Sequence, residues 1–245
     1  MVATRVRFDS RKEEINFYFR VMCDITGHKP SNETENNNKI VLKSKPLIET
    51  EDNDKFVRIL KSNFLLMLYN LIESCVKSGF EEIYEIIKAE GISYIQVSNA
   101  LRDIWSSYEI SNADKDTAKN ETYGKRVKDI LEQVISNAPI LLKKKTVEAL
   151  AGGTLDARII RELLKKHDIN FIETSAGDKY HILTVKTKRN SLAHGEESFD
   201  EAARDLVIDD LEKIKNEVLI FVEDVINGIE EYYNNKLYLI NNENI

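Results

Sequence analysis

The strongest pattern along the chain is an apolar stripe at three- and four-residue spacing over 54–89. It is carried by Phe56, Ile59, Leu60, Phe64, Met67, Leu68, Leu71, Cys75, Phe80, Ile83, Tyr84 and Ile87. Positions three and four apart share one face of an α-helix, so this spacing predicts a long helix. Between Phe64 and Ile72 (FLLMLYNLI) the apolar face widens to almost the whole circumference, which places the helix at the centre of a bundle. A second stripe, Leu206 through Tyr232, predicts a C-terminal helix, opened by the capping box Ser198-Phe-Asp-Glu201. Shorter patterns predict helices over 8–24, 93–108, 125–136 and 143–150, and in LDARIIRELLKKH with Thr154 as its cap. Residues 169–185 fit either two short extended pieces around a turn at Ser175-Ala176-Gly177-Asp178 or a loop entering a helix.

Polar stretches punctuate these elements. Residues 27–54 hold two of the three prolines and an Asn triplet, and read as an exposed, partly disordered connection; SNADKDTAKNETYG over 111–124 reads as a polar loop. No other break divides the chain, so the expectation is a single helical domain over 1–245. Only 3 Pro and 9 Gly in 245 residues, with 42% hydrophobic content, argue against sandwiches and barrels, and the fold class expected is all-α. Two cysteines, Cys23 and Cys75, build no disulfide framework, which points to a reducing, cytoplasmic setting. The nine-residue apolar run is well short of the ~20 residues of a spanning helix, so no membrane partner is expected.

Asn70 and Glu73 interrupt the most apolar helix three residues apart on one face. Two readings stand: an ion pair of Glu73 with Lys77 one turn on, or a polar site built into the bundle.

Charge alters this picture. With 35 Lys+Arg and 42 Asp+Glu the net charge is −7, which disfavours a nucleic-acid partner. The average conceals segregation: 141–190 carries 11 basic against 6 acidic residues, and 196–245 carries 14 acidic against 4 basic. Either a positive surface exists within an acidic protein, or helices of opposite sign simply attract one another.

Most catalytic signatures are missing. There is no P-loop, GxGxxG, CxxC, HxxxH or serine-hydrolase elbow, and His28, His167, His181 and His194 show no metal-ligand spacing, so no cofactor and no metal are expected. What remains is the run 186–196, KTKRNSLAHGE. On a helix, Arg189 and His194 stand about 140° apart and do not converge on one point; a two-fold partner copy would bring two such pairs into one cleft.

RNSLAHG resembles the R-x4-6-H signature of the HEPN superfamily, helical bundles that are often metal-independent ribonucleases of toxin–antitoxin and other defence systems. The central helix, the GGTLDARIIRELLKKH segment and the passage from RNSLAHGEESF into a long acidic helix resemble its MAE-type branch over most of 54–240. The resemblance implies a HEPN-like bundle and an endoribonuclease acting as toxin or anti-phage effector, working as a homodimer on RNA, with an antitoxin or defence protein as a further partner. It implies Arg189 and His194 as the catalytic pair and Asn190 as the polar residue beside the Arg. Asn70, Glu73 and Glu196 are supporting candidates. Lys186 and Lys188, with Lys143, Lys144 and Lys145, would guide the RNA backbone. Where many HEPN toxins paired with a nucleotidyltransferase carry Tyr two residues after the His, this chain has Glu196. The competing readings are a non-catalytic HEPN-like module binding RNA or protein, and a purely structural dimerisation bundle.

Overall fold

The computed structural model describes residues 1–29, 50–115, 120–143, 146–148, 154–174 and 180–240. The fold is all-α. Among the described residues the helices follow in the order α1 (Val2–Thr26), α2 (Thr50–Ala89), α3 (Asn99–Lys115), α4 (Asn120–Ile135), α5 (Ala157–Lys166), α6 (Tyr180–His194) and α7 (Ile208–Asn234). Among the described residues the only β pairing is two isolated bridges, Ser93 with Pro139 and Val97 with Leu239.

The chain divides into two compact units, one of Met1–Thr4, Val76–Ile172 and Asp224–Ile245, the other of Arg5–Cys75 and Glu173–Glu223. Helices α2 and α7 each contribute residues to both. In the first unit Phe80, Ile83, Leu101, Trp105, Ile160, Leu163, Ile229 and Tyr232 are buried. In the second the core is Phe8, Ile15, Phe19 and Met22 of α1, Phe64, Leu68 and Tyr69 of α2, Ile182 and Val185 of α6, and Leu211, Val218 and Phe221 of α7. Phe19 lies against Phe64 with ring centroids 5.5 Å apart. Most of the apolar segment of α2 is accordingly core, with Phe64, Leu65, Leu68, Tyr69, Leu71 and Ile72 buried, but it is not covered all round: Leu66 and Met67 are half-buried and Asn70 is exposed. By length and composition α2 contains a window able to cross a membrane, but 56% of that window is buried in protein, the pattern of a core helix.

Several boundaries differ from the sequence expectation, each for a local reason. Helix α2 begins at Thr50, inside the expected 27–54 connection, whose residues 30–49 lie outside the described ones. Helix α3 starts at Asn99 rather than 93, because Gln96 Oε1 accepts from both Ser93 N and Oγ at 2.9 Å and closes a separate turn there. It then runs through 111–115, where a loop was expected; Ser111 Oγ donates to Ser107 O at 2.7 Å and finds its partner within the helix. Helix α4 likewise begins at Asn120. The cap of α5 is Asp156, whose carboxylate accepts from Ile159 N at 2.9 Å, and not Thr154. No hairpin forms in the described part of 169–185: Ile182 and Val185, three apart, are both buried on α6. The turn at 175–178 lies outside the described residues, as do Gly152 and Gly153. Ser198 and Glu201 do pair, Ser198 N and Oγ donating to Glu201 Oε2 at 3.0 and 2.7 Å, but this box closes a turn of its own. Helix α7 starts only at Ile208, where Asp210 Oδ2 accepts from Val207 N at 3.1 Å.

Candidate active site

RNSLAHG forms the last turns of α6 and its cap. Gly195 adopts the left-handed conformation, φ +70°, with open space where a Cβ would stand. Gly195 N donates to Leu192 O at 3.3 Å and Glu196 N to Ser191 O at 2.8 Å, the paired bonds of a Schellman motif. The glycine of the motif therefore ends the helix immediately after His194, which is exposed in the final turn.

Arg189, one and a half turns earlier, is half-buried. Its guanidinium carbon lies 4.6 Å from the centroid of the Tyr69 ring, a cation–π arrangement, and Nη1 donates to Asn190 Oδ1 at 3.0 Å. Tyr69 is fully buried on α2, so the aromatic face beneath Arg189 is fixed. One side of the guanidinium lies against the ring and one N–H on Asn190; a guanidinium has five N–H donors in a planar fork, the geometry that suits an anion. The candidate pair thus consists of a cation seated on the core and an imidazole at a helix terminus.

The same helix carries a second polar arrangement. His181 Nδ1 lies 2.6 Å from Glu217 Oε2, and Glu217 is buried on α7. The carboxylate accepts the hydrogen bond from Nδ1–H and so fixes the orientation of the ring. His181, Thr184 and Lys188 share a face and line a cavity of about 420 Å³ with Asp205, Asp210 and Ile214.

The other sequence candidates fall as follows. Lys188 Nζ lies 3.0 Å from Glu197 Oε1, so its charge is offset by an acid just beyond the motif. Lys186 is half-buried and partnered. Glu196 and Asn70 are exposed, and the Asn70 carbonyl accepts from Arg11 Nη1 at 3.1 Å. Glu73 and Lys77 are each half-buried with partners. Lys143 is exposed and belongs to the other compact unit, while Lys144 and Lys145 lie outside the described residues.

Tyr69 and the His181–Glu217 pair escaped the sequence reading. Tyr69 sits in the apolar run of α2, where a core aromatic is the ordinary expectation, and nothing local marks it as the seat of Arg189. His181 and Glu217 belong to different helices, so their approach leaves no trace in spacing.

A family model described as HEPN_MAE_28990-like HEPN matches residues 6–238. No curated protein and no solved structure matches the chain.

Proposed function

The chain belongs to the HEPN_MAE_28990-like HEPN family, and on that premise we propose that it is an endoribonuclease whose working groups are Arg189 and His194. The observation that carries the reading is the pair itself: an Arg guanidinium seated on Tyr69 and tied to Asn190, five residues ahead of an exposed His at the cap of the same helix. In this reaction the ribose 2′-OH attacks the adjacent phosphorus as an imidazole takes its proton. The 5′-oxygen leaves with a proton from a second imidazole, yielding a 2′,3′-cyclic phosphate and a 5′-OH end. Arg189 holds the non-bridging oxygens, where negative charge accumulates.

Two imidazoles at one phosphate call for two copies of the chain. At 100° per residue, Tyr180, Leu183, Thr187 and His194 fall within about 60° of one another on α6, and all four are exposed. Such a stripe, apolar at one end and carrying His194 at the other, suits a two-fold contact that pairs the histidines. The role that goes with this activity is a toxin or anti-phage defence effector, held in check by a protein partner.

The test is cleavage of single-stranded RNA by the purified chain in EDTA, with analysis of the product ends. Cyclic-phosphate ends are expected, and Arg189→Ala or His194→Ala should lower the rate by about 10²–10⁴-fold. Undiminished cleavage in both variants defeats the mechanism. The ion pair of Lys188 with Glu197 favours a second reading, a HEPN module that binds RNA or protein without cutting it. That reading predicts salt-sensitive RNA binding with no product ends.

A further inference from the structure

Outside the RNSLAHG helix, three metal-ligating side chains converge in the Arg5–Cys75 and Glu173–Glu223 unit. His28, Asp209 and Glu212 place one donor atom each within 4.8 Å of one another. Each is positioned by local structure. Helix α1 ends in a Schellman turn: Gly27 takes φ +73° and His28 N donates to Cys23 O at 3.0 Å, which fixes the backbone that carries the imidazole. Asp209 and Glu212 are three apart on the first turns of α7 and so share a face, while Asp210 between them is occupied in capping Val207 N. Glu212 is buried, only 5% exposed.

The imidazole nitrogen separates a coordination site from an ordinary ion pair. His28 Nε2 lies 3.3 Å from Asp209 Oδ1, yet the nitrogen atom itself is buried and, among the described residues, makes no hydrogen bond. An imidazole that simply paired with the aspartate would direct its N–H at the oxygen. Two ligands of one ion stand side by side, each aimed at the ion between them. With bonds of about 2.0–2.2 Å in a tetrahedral set, neighbouring donors are about 3.4 Å apart.

We propose that His28, Asp209 and Glu212 form a binding site for a divalent transition-metal ion of the Zn²⁺ or Mn²⁺ type. One imidazole nitrogen and two carboxylate oxygens make a mixed N/O donor set, which suits these ions better than Ca²⁺, whose sites are built from six to eight oxygens. A neutral imidazole with two carboxylates carries −2, the complement of the ion. Lys215, whose ammonium lies 4.4 Å from the Phe19 ring centroid, is attracted by Glu212. The bound ion would clamp the C-terminal cap of α1 to the first turns of α7. It takes no part in the proposed RNA cleavage.

Isothermal titration of the full chain with ZnCl2, and separately with MnCl2, tests the proposal. The expected result is one ion per chain, with affinity reduced by at least about tenfold in His28→Gln and in Asp209→Asn. His181→Gln and His194→Gln should bind as the wild type does. No uptake by the wild type, unchanged uptake in both His28→Gln and Asp209→Asn, or loss of uptake in His194→Gln or His181→Gln would overturn the assignment. Asp209 is 62% exposed, so its variant tests the site without disturbing a core. Heat of binding is read directly, so this result stands apart from whether the chain cleaves RNA.

Discussion

Arg189 shows how much a single side chain depends on what lies beneath it. A cation on a buried aromatic face is worth about 0.5–2 kcal/mol, and here that face is Tyr69. Replacing Tyr69 with Leu should therefore slow RNA cleavage by about 3- to 30-fold, while Tyr69→Phe keeps the ring and most of the rate. A full rate in Tyr69→Leu, with unchanged far-UV circular dichroism, would show that Arg189 needs no such seat. His167 is the opposite case, a histidine with no part in the proposed chemistry. It is fully buried; Nδ1 lies 2.7 Å from Leu163 O and Nε2 2.6 Å from the Tyr84 hydroxyl, so both ring nitrogens are satisfied in the neutral form. Burial pushes its pKa down to about 4 from 6.5, against the Leu163 carbonyl, which favours the cation. The unfolded chain takes up this proton first, so His167 contributes its full stability above about pH 6.5. That contribution is lost progressively towards pH 4. The loss is on the order of 3 kcal/mol. Urea unfolding at pH 7 and pH 5 should show about 2 kcal/mol of it, and His167→Gln should flatten that part of the profile.

At the scale of elements, close approach of backbones decides which glycines can change. A Cβ on Gly228 of α7 would stand 2.6 Å from Phe171 Cβ and 2.8 Å from Asn170 O, atoms that cannot swing aside. Gly228→Ala should cost about 1–3 kcal/mol or more. Gly124, inside α4 with nothing within 4 Å, should gain up to about 1 kcal/mol as Ala. Thermal denaturation of the two variants gives opposite shifts in Tm if the two glycines differ in this way. The elements were also where the sequence was most legible. The stripes of α2 and α7 come from the 3.6-residue repeat, which every turn of the helix restates, and both helices run where the stripes predict. Ends were less legible, because they turn on single side-chain bonds. Asp156 caps α5 where Thr154 was expected, and the Ser198–Glu201 box closes a turn ahead of the helix it was expected to start.

For the whole molecule, the proposed activity is a property of two chains. Leu183, 47% exposed on the stripe that ends at His194, is the position to charge. Leu183→Glu should give a folded monomer without ribonuclease activity, read by light scattering and the cleavage assay; an active monomer would remove the two-copy site. The net charge of −7 looks different at this scale too. The acidic stretch after the motif contributes Glu197 to Lys188, so part of the basic run is already neutralised within the chain. From the sequence alone come the helical bundle, the RNSLAHG motif and, through that motif and the helices around it, the family. All of these are written in neighbours a few residues apart, and the helix repeats its geometry every turn. Only the tertiary structure decided that Tyr69 lies under Arg189, that Glu217 orients His181, and that His28 meets Asp209 and Glu212. Those meetings depend on which faces of separate helices pack together, and spacing within one helix carries no record of the helix it will face.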